Sequence, residues 1–376
     1  VNQHIVIVGA GVIGCGLADE LTRRGASVTV IDAAEAGSAT SAATFAWVNS
    51  NDKTPVEYSN LNLLGIQAHE RQARSVALNR APWFHQTGNV QIAQTEHHMA
   101  AIRQKVQEHA ANGIEARLLT PSQVRELEPS LQPPHLTGGA FFPQEGWIDV
   151  QRMCTSLLDR AIGAGASFVP HETVTNIQGN RVTTTTRDGR SRNYHAAVVI
   201  LAAGNGNRKI LAASGVDFPT IDPTDNRSQT PSVGIIGTTG PVRSGIGHII
   251  SGEGIVLRPA RNGGITFTEH PTADTWDLDD PRIWAIPALL LDRARELYPS
   301  LENATTEAVR LGIRVLPKDG LTIADWITDD KSIYAVATHS GVTLAAHLAE
   351  VVAEEVLSGS RHQSLAKFNL ARFAAL

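Results

Sequence analysis

A glycine-rich turn between an apolar strand and a helix constrains this chain more than any other feature. Residues 4–8 (HIVIV) form a continuous apolar run, the pattern of a strand buried on both faces. Gly9-Ala10-Gly11-Val12-Ile13-Gly14 follows directly. Gly9 permits the tight turn, Gly11 lets a pyrophosphate approach the backbone, and Gly14 lets the helix pack closely on the strand. The pattern predicts a helix over 12–24, ended by Gly25. Residues 27–31 (SVTVI) predict a second buried strand. Asp32 closes it, at the spacing of about 20 residues that a dinucleotide site requires. Six residues of glycine pattern are weak alone; with strand, helix and acid around them they predict a Rossmann-type βαβ unit. The helix N-terminus would offer N–H groups and a positive dipole end to phosphates. Asp32 would accept hydrogen bonds from the adenosine ribose, and an acid there disfavours a 2′-phosphate. FAD and NAD both remain open from this unit.

The chain has 376 residues, room for two domains, and 42% of them are hydrophobic, enough for a sizeable core. Further helices are predicted over 56–80, 96–112, 121–127, 150–163, 281–298 and 341–357. Strands are predicted over 166–170, 196–201 and 334–337. Residues 174–192 read as a β-hairpin turning at Asp188-Gly189, and short alternating strands fill 215–267. The buried strands at 4–8, 27–31, 196–201 and 334–337 are far apart in sequence. A discontinuous nucleotide-binding domain, with a second sheet inserted between its parts, explains that spacing.

Several classes of function drop out. A net charge of −5 implies no basic face and no nucleic-acid partner. The two cysteines, Cys15 and Cys154, have no CxxC neighbour, so they read as inert thiols. HExxH, zinc spacing, a P-loop and a GxSxG elbow are all missing, so no metal is expected. No apolar stretch reaches the ~18–20 residues of a transmembrane helix, and no signal-peptide pattern precedes the first strand. The expectation is a cytoplasmic protein.

Four stretches together resemble the D-amino-acid oxidase-like family of FAD-dependent amine oxidoreductases, the group of glycine oxidase, sarcosine oxidase and D-amino-acid dehydrogenase. They are the βαβ unit through Asp32, the loop 37–43 (GSATSAA), the strand and turn 198–204 (VVILAAG), and the pair 312–320 and 337–345. The resemblance implies FAD in an extended pose. It implies an α/β plus α+β fold: a discontinuous Rossmann-like FAD-binding domain (1–46, 140–212, 312–376) and an antiparallel-sheet cap over substrate (47–139, 213–311). Beside Gly9, Gly11, Val12, Ile13, Gly14, Asp32 and Ala33, it gives to the cofactor Ser41, Ala42, Ala43 and Ala46. The backbone of Val174 would hold adenine, and Ala203 and Gly204 would adjoin the cofactor. Ser340, Gly341, Val342 and Thr343 would meet the flavin from a helix N-terminus, whose dipole would stabilise a reduced, anionic ring.

For the chemistry, the resemblance gives Arg314 the substrate carboxylate, which a guanidinium holds with two parallel bonds. Arg310, Arg258 or a purely structural arginine are the alternatives. His339, His270, His248 and Tyr334 are candidates to tune the site, although a lone histidine is more often structural. Trp47 would wall the pocket or serve as a core aromatic. Two departures from the family matter. No cysteine stands at 310–313, so a covalent flavin is not expected. Thr266 stands where sarcosine oxidase-like chains carry a lysine, which leaves oxygen or another electron acceptor open. The implied reaction is oxidation of the C–N bond of an amino acid or N-substituted amino acid, by hydride transfer to flavin N5, giving an imine. A tailored biosynthetic amine, a 2-hydroxy acid, or a role as a flavin-binding component of a larger complex are the alternatives. The oligomeric state is not legible.

Overall fold

The computed structural model describes residues 3–76, 82–224, 233–269 and 281–374. His4–Val8 sits inside a six-stranded sheet ordered Ile323–Trp326, Ile333–Ala337, Val198–Leu201, His4–Val8, Ser27–Ile31, Ser167–Val169. Every neighbouring pair is parallel except the edge strand Ile323–Trp326, which runs antiparallel. The apolar run of the first strand has a direct cause. Ile5 and Ile7 pack with Leu17, Leu344 and Leu348 on one face. Val6 and Val8 pack with Val174, Ile177 and Val182 on the other. A strand covered on both sides has no polar face to alternate with.

Helix Val12–Arg23 lies between helices Val150–Gly163 and Gly341–Ser358. The contact with the latter is close: a Cβ on Gly16 would stand 3.0 Å from the Ala349 Cβ. The opposite face carries a meander of three strands, Glu172–Gln178, Arg181–Thr186 and Ser191–His195. The expected single hairpin over 174–192 is therefore corrected. Asp188-Gly189 lies in the second turn as read, but a further turn at Gly179-Asn180 divides the first arm. Gly179, at φ +55°, makes that turn, so the stretch holds two turns and three strands.

The second sheet has eight strands in the order Thr306–Ile313, Val233–Thr239, Ile265–Thr268, Ile255–Pro259, Ile249–Gly252, Asn89–Ala93, Gly138–Phe142, Arg117–Leu119. It is antiparallel apart from the pair Ile249–Gly252 and Asn89–Ala93. Strand Gly138–Phe142 crosses the boundary expected at 140 and pairs throughout with Asn89–Ala93. Helix Arg282–Leu297 covers one face, with Leu290 and Ala294 packed against Phe267 and Leu257. Trp47-Val48 forms a small third sheet with Phe84-His85 and Gly146–Ile148. The two large sheets meet where Thr306–Ile313 ends. A Cβ on Gly312 would stand 2.1 Å from the Ala43 carbonyl oxygen, so this strand presses against the loop 37–43 at a point that admits no side chain. No helix among the described residues is long and apolar enough to cross a membrane.

Candidate active site

The glycine turn is built as its sequence implies. Gly9 has φ +105°, and a Cβ there would lie 2.5 Å from the Ala202 carbonyl oxygen. A Cβ on Gly14 would lie 1.8 Å from the Gly9 carbonyl oxygen, so helix and strand approach each other without room for a methyl group. Asp32 is bound into this turn. Its Oδ2 accepts the Ala10 amide at 2.6 Å and its Oδ1 the Ala34 amide at 2.8 Å. The loop 37–43 is tied to the same point, because Ser41 Oγ accepts the Val12 amide at 3.2 Å.

A cavity of about 800 Å³ opens along this edge. Asp32, Ala33 and Val174 line it beside the meander, and Gly9, Gly11, Val12 and Ile13 line it at the helix N-terminus. Ser41, Ala43, Ala46, Ala203, Gly204 and the run Ser340–Thr343 continue the wall. Gly14 and Ala42 are not part of the lining; Gly14 serves the helix–strand contact instead. The helices beginning at Val12 and Gly341 both start here, and neither N-cap residue, Gly11 or Ser340, caps its helix with its own side chain. Two helix N-termini, a turn stripped of side chains and an acid at the strand end fit an extended dinucleotide with negative phosphates.

The second helix N-terminus is held from three sides. Tyr58 donates its hydroxyl to Ser340 Oγ at 2.8 Å. His69 Nε2 donates to the Val342 carbonyl at 2.8 Å. Thr343 Oγ1 donates to the Trp47 carbonyl and accepts the Asn49 amide, both at 3.3 Å. His69 is fully enclosed, and burial pushes its pKa down to about 4, so the ring is neutral.

The cap contributes Gly234, Ile236, Thr268 and Arg314. Arg314 follows strand Thr306–Ile313, and its guanidinium, which burial moves below its ordinary pKa, lines the cavity. The backbone beneath it is fixed: Thr40 Oγ1 donates to the Ile313 carbonyl at 2.9 Å and Asn205 Nδ2 to the Arg314 carbonyl at 3.4 Å. Trp47 and His339 also line the cavity. Trp47 Nε1 donates to Glu145 Oε2 at 2.9 Å, and Asn51 Nδ2 donates to Oε1 of the same carboxyl. Glu145 is 2% exposed, and burial pushes its pKa up to about 8.

Other candidates lie elsewhere. His248 Nδ1 stands 2.6 Å from Glu128 Oε1, in the cap interior. The Tyr334 hydroxyl donates to Glu355 beneath the parallel sheet at 2.7 Å. Arg258 donates to the Phe45 carbonyl at 2.6 Å and stacks 4.6 Å from the Trp147 ring centre, so it is a core residue. Arg310 is not part of the cavity lining either. Thr266 is not part of it, and its hydroxyl stands 3.4 Å from Thr238 Oγ1; Thr268, two residues on, is the cap threonine in the cavity. A period-2 strand puts both threonines on the same face, and of the two only the one at the strand's end reaches the opening. His270 lies outside the described residues. Cys15 and Cys154 are buried against each other, which holds the Cys15 thiol protonated, and neither lines the cavity. Sequence reasoning misses Asn49, Asn51, Asp52 and Lys53, all of which line the cavity. The available signal is a polar run, NSNDK, directly after the apolar Trp47-Val48.

An open parallel sheet with a dinucleotide turn, and a second sheet closing a cavity against it, define a flavoprotein oxidoreductase architecture. The family model described as FAD dependent oxidoreductase (DAO) matches residues 4–355, and the chain belongs to that family. It is an enzyme, and its cofactor is FAD. A component of the opine oxidase of Agrobacterium tumefaciens (strain Ach5) is 26% identical over 99% of this chain and 98% of the relative. Glycine oxidase of Geobacillus kaustophilus (strain HTA426) is 23% identical over 99% of this chain and 97% of the relative. Among solved structures, Geobacillus kaustophilus glycine oxidase superposes with a TM-score of 0.84 at 20% identity, covering 98% of this chain and 99% of that one. L-proline dehydrogenase from P. horikoshii gives 0.82 at 19% identity, covering 100% and 98%.

Proposed function

We propose that the protein oxidises the C–N bond of an amino acid or N-substituted amino acid, producing an imine. The observation that carries this reading is Arg314, a half-buried guanidinium lining the same cavity as the glycine turn. FAD, when bound, supplies the acceptor for the substrate hydride. The chain's own residues bind and orient. Arg314 pairs with the substrate carboxylate and so fixes the direction of the Cα–H. Trp47, Phe45 and Ile236 give that end of the cavity apolar walls, which limit water around the reacting carbon. The amine loses a proton as the hydride leaves, and water then hydrolyses the imine. The amides at the N-terminus of Gly341–Ser358, which Ser340 leaves uncapped, would favour negative charge on a bound flavin. With both cysteines outside the cavity, FAD is held without a thioether bond. Oxygen or another acceptor would take up the electrons from the bound cofactor.

The names of two relatives, opine oxidase and glycine oxidase, agree with amine chemistry. The test is an anaerobic absorption spectrum of the FAD-loaded protein with single amino acids and N-substituted glycines. Bleaching by an amine carboxylate and not by its 2-hydroxy analogue is the expected result. Bleaching by the hydroxy acid alone would overturn the reading. A second reading, that the chain works within a complex, draws on the opine oxidase relative, whose name marks it as one component of a larger enzyme. It draws also on Trp284 and Leu289, which are 56% and 60% exposed on helix Arg282–Leu297. Turnover by the sole polypeptide would exclude it.

A further inference from the structure

The eight-stranded sheet ends on an open strand. Thr306–Ile313 pairs with Val233–Thr239 on one side, and among the described residues no strand pairs with its other side. Its neighbours fix which backbone groups point outward. Thr268 Oγ1, on the far side of Val233–Thr239, donates to the Ile235 carbonyl at 2.7 Å, so that carbonyl points away from Thr306–Ile313. Leu311 stands opposite Ile235 and therefore turns its own N–H and carbonyl outward, as does Val309 two residues earlier. The Ile313 carbonyl, next in that series, accepts Thr40 Oγ1 from outside the sheet at 2.9 Å. Among the described residues, nothing meets the outward groups of Val309 and Leu311. The helix over this strand is apolar on its outer side as well. Ile283 packs with Val233 and Ile235, and Val309 and Leu311 lie against them. Trp284, the next residue, is largely exposed, and so is Leu289. Ala285 and Ala288 are exposed between them. At 3.6 residues per turn these four share one arc, with the alanines at its middle and a large side chain on either flank.

We propose that this face, open edge and helix together, is covered by a second copy of the chain across a two-fold axis. The two edges of the sheet differ in a way that supports this. Arg117–Leu119, at the far edge, has three residues and an exposed arginine, the usual protection of an edge that stays in water. Thr306–Ile313 has eight residues and no such protection along Val309 and Leu311. The strand is also complementary to itself. An antiparallel pairing centred on Val309 sets Val309 against the partner's Val309 and Glu307 against the partner's Leu311. These residues all turn outward, so each pair exchanges both of its hydrogen bonds. Arg310 then stands opposite the partner's Ala308, and no like charges meet. The same axis runs the two Arg282–Leu297 helices antiparallel, with the halves that lie over this strand nearest each other. The small alanines let the helices approach, and Trp284 and Leu289 close the flanks. Such an interface uses one patch twice and ends the open edge without a third chain. Arg314 continues the paired strand into the cavity, so the pairing braces the segment that carries it. The inference is independent of the substrate.

Sedimentation velocity of the FAD-loaded full chain, over a wide range of concentration, should show a dimer that dissociates on dilution. Trp284→Glu and Val309→Pro should each raise its dissociation constant at least about 10-fold. The first puts a charge into the apolar contact, and the second removes an N–H that the single chain does not use. Leu118→Glu, at an exposed position on the far edge, should leave the dimer unchanged. Hydrogen exchange of the wild-type protein reads the edge directly. The Val309 and Leu311 amides should exchange slowly in the dimer and at least about tenfold faster after dilution to single chains. If Val309→Pro fails to fold, as its melt and FAD content would show, Trp284→Glu and the exchange rates decide. A wild-type chain that stays monomeric at every concentration would overturn the proposal and leave the face to a different chain. A dimer that resists both substitutions would overturn it as well. So would Val309 and Leu311 amides that exchange equally fast in the dimer and the single chain, because the copies would then meet by another surface.

Discussion

The Trp47 indole donates to a carboxyl, Glu145, that is 2% exposed, at 2.9 Å. The wall of the cavity is thereby tied to an ionisable group with almost no access to water. The sign of its effect on stability follows from the raised pKa. Glu145 titrates near 8 in the folded protein against an ordinary 4.5, so the folded state holds the proton more tightly. Stability should therefore fall as pH rises from about 4.5 to about 8, by a few kcal/mol in all. Glu145→Gln keeps an acceptor for Trp47 and removes the titration. Thermal melts from pH 5 to pH 9 should show a flatter profile for the variant. Parallel profiles would mean that Glu145 is already ionised at low pH.

Gly9 offers a test of the cofactor turn. With φ at +105° and the Ala202 carbonyl oxygen 2.5 Å from where a methyl carbon would sit, Gly9→Ala must distort the junction of the first and central strands. Backbone strain of this kind costs roughly 1–3 kcal/mol before any steric clash is added. The expected outcome is a lower melting temperature and an FAD dissociation constant raised at least about tenfold, read by flavin fluorescence. Asp32→Ala should weaken FAD without the same loss of melting temperature, because it removes an acceptor and adds no atoms.

Arg314→Met should raise KM for a carboxylate substrate by about 10- to 100-fold, the range for a lost charge-assisted pair. Arg314→Lys should recover part of it, since a point charge replaces a planar fork. If KM holds and only kcat falls, Arg314 acts on the chemistry and does not hold the carboxylate.

The first strand and its turn are legible in the sequence because their requirements are local. A strand buried on both faces must be apolar throughout, and a turn with no room for a Cβ must be glycine. The cap resists the same reading because its requirements are set by distant elements. Which threonine of Ile265–Thr268 meets the cavity depends on where the strand ends against its neighbours, and Thr266 and Thr268 are equivalent in pattern. Glu145 and Trp47 are 98 positions apart, and no period in the sequence joins them. Lys53 escapes notice because a polar run after a strand reads as a solvated loop, and only the fold shows that this loop faces inward.

His69 carries the last prediction. Its Nε2 donates to the Val342 carbonyl in the first turn of the helix whose N-terminus meets the cavity. Burial lowers its pKa from an ordinary 6.5 to about 4, so the folded state binds fewer protons than the unfolded chain between those values. The stabilisation is present above about pH 6.5 and is lost as pH falls towards 4, on the order of 2–3 kcal/mol. His347 is depressed to about 4 by burial as well and adds to the same slope, so removing His69 should relieve only part of it. His69→Gln retains a donor for the Val342 carbonyl and does not titrate. Its melting temperature should fall less than that of the wild type between pH 7 and pH 4.5, with FAD retained further into acid. An unchanged slope would show that His69 reaches water in the folded protein and does not govern the helix start.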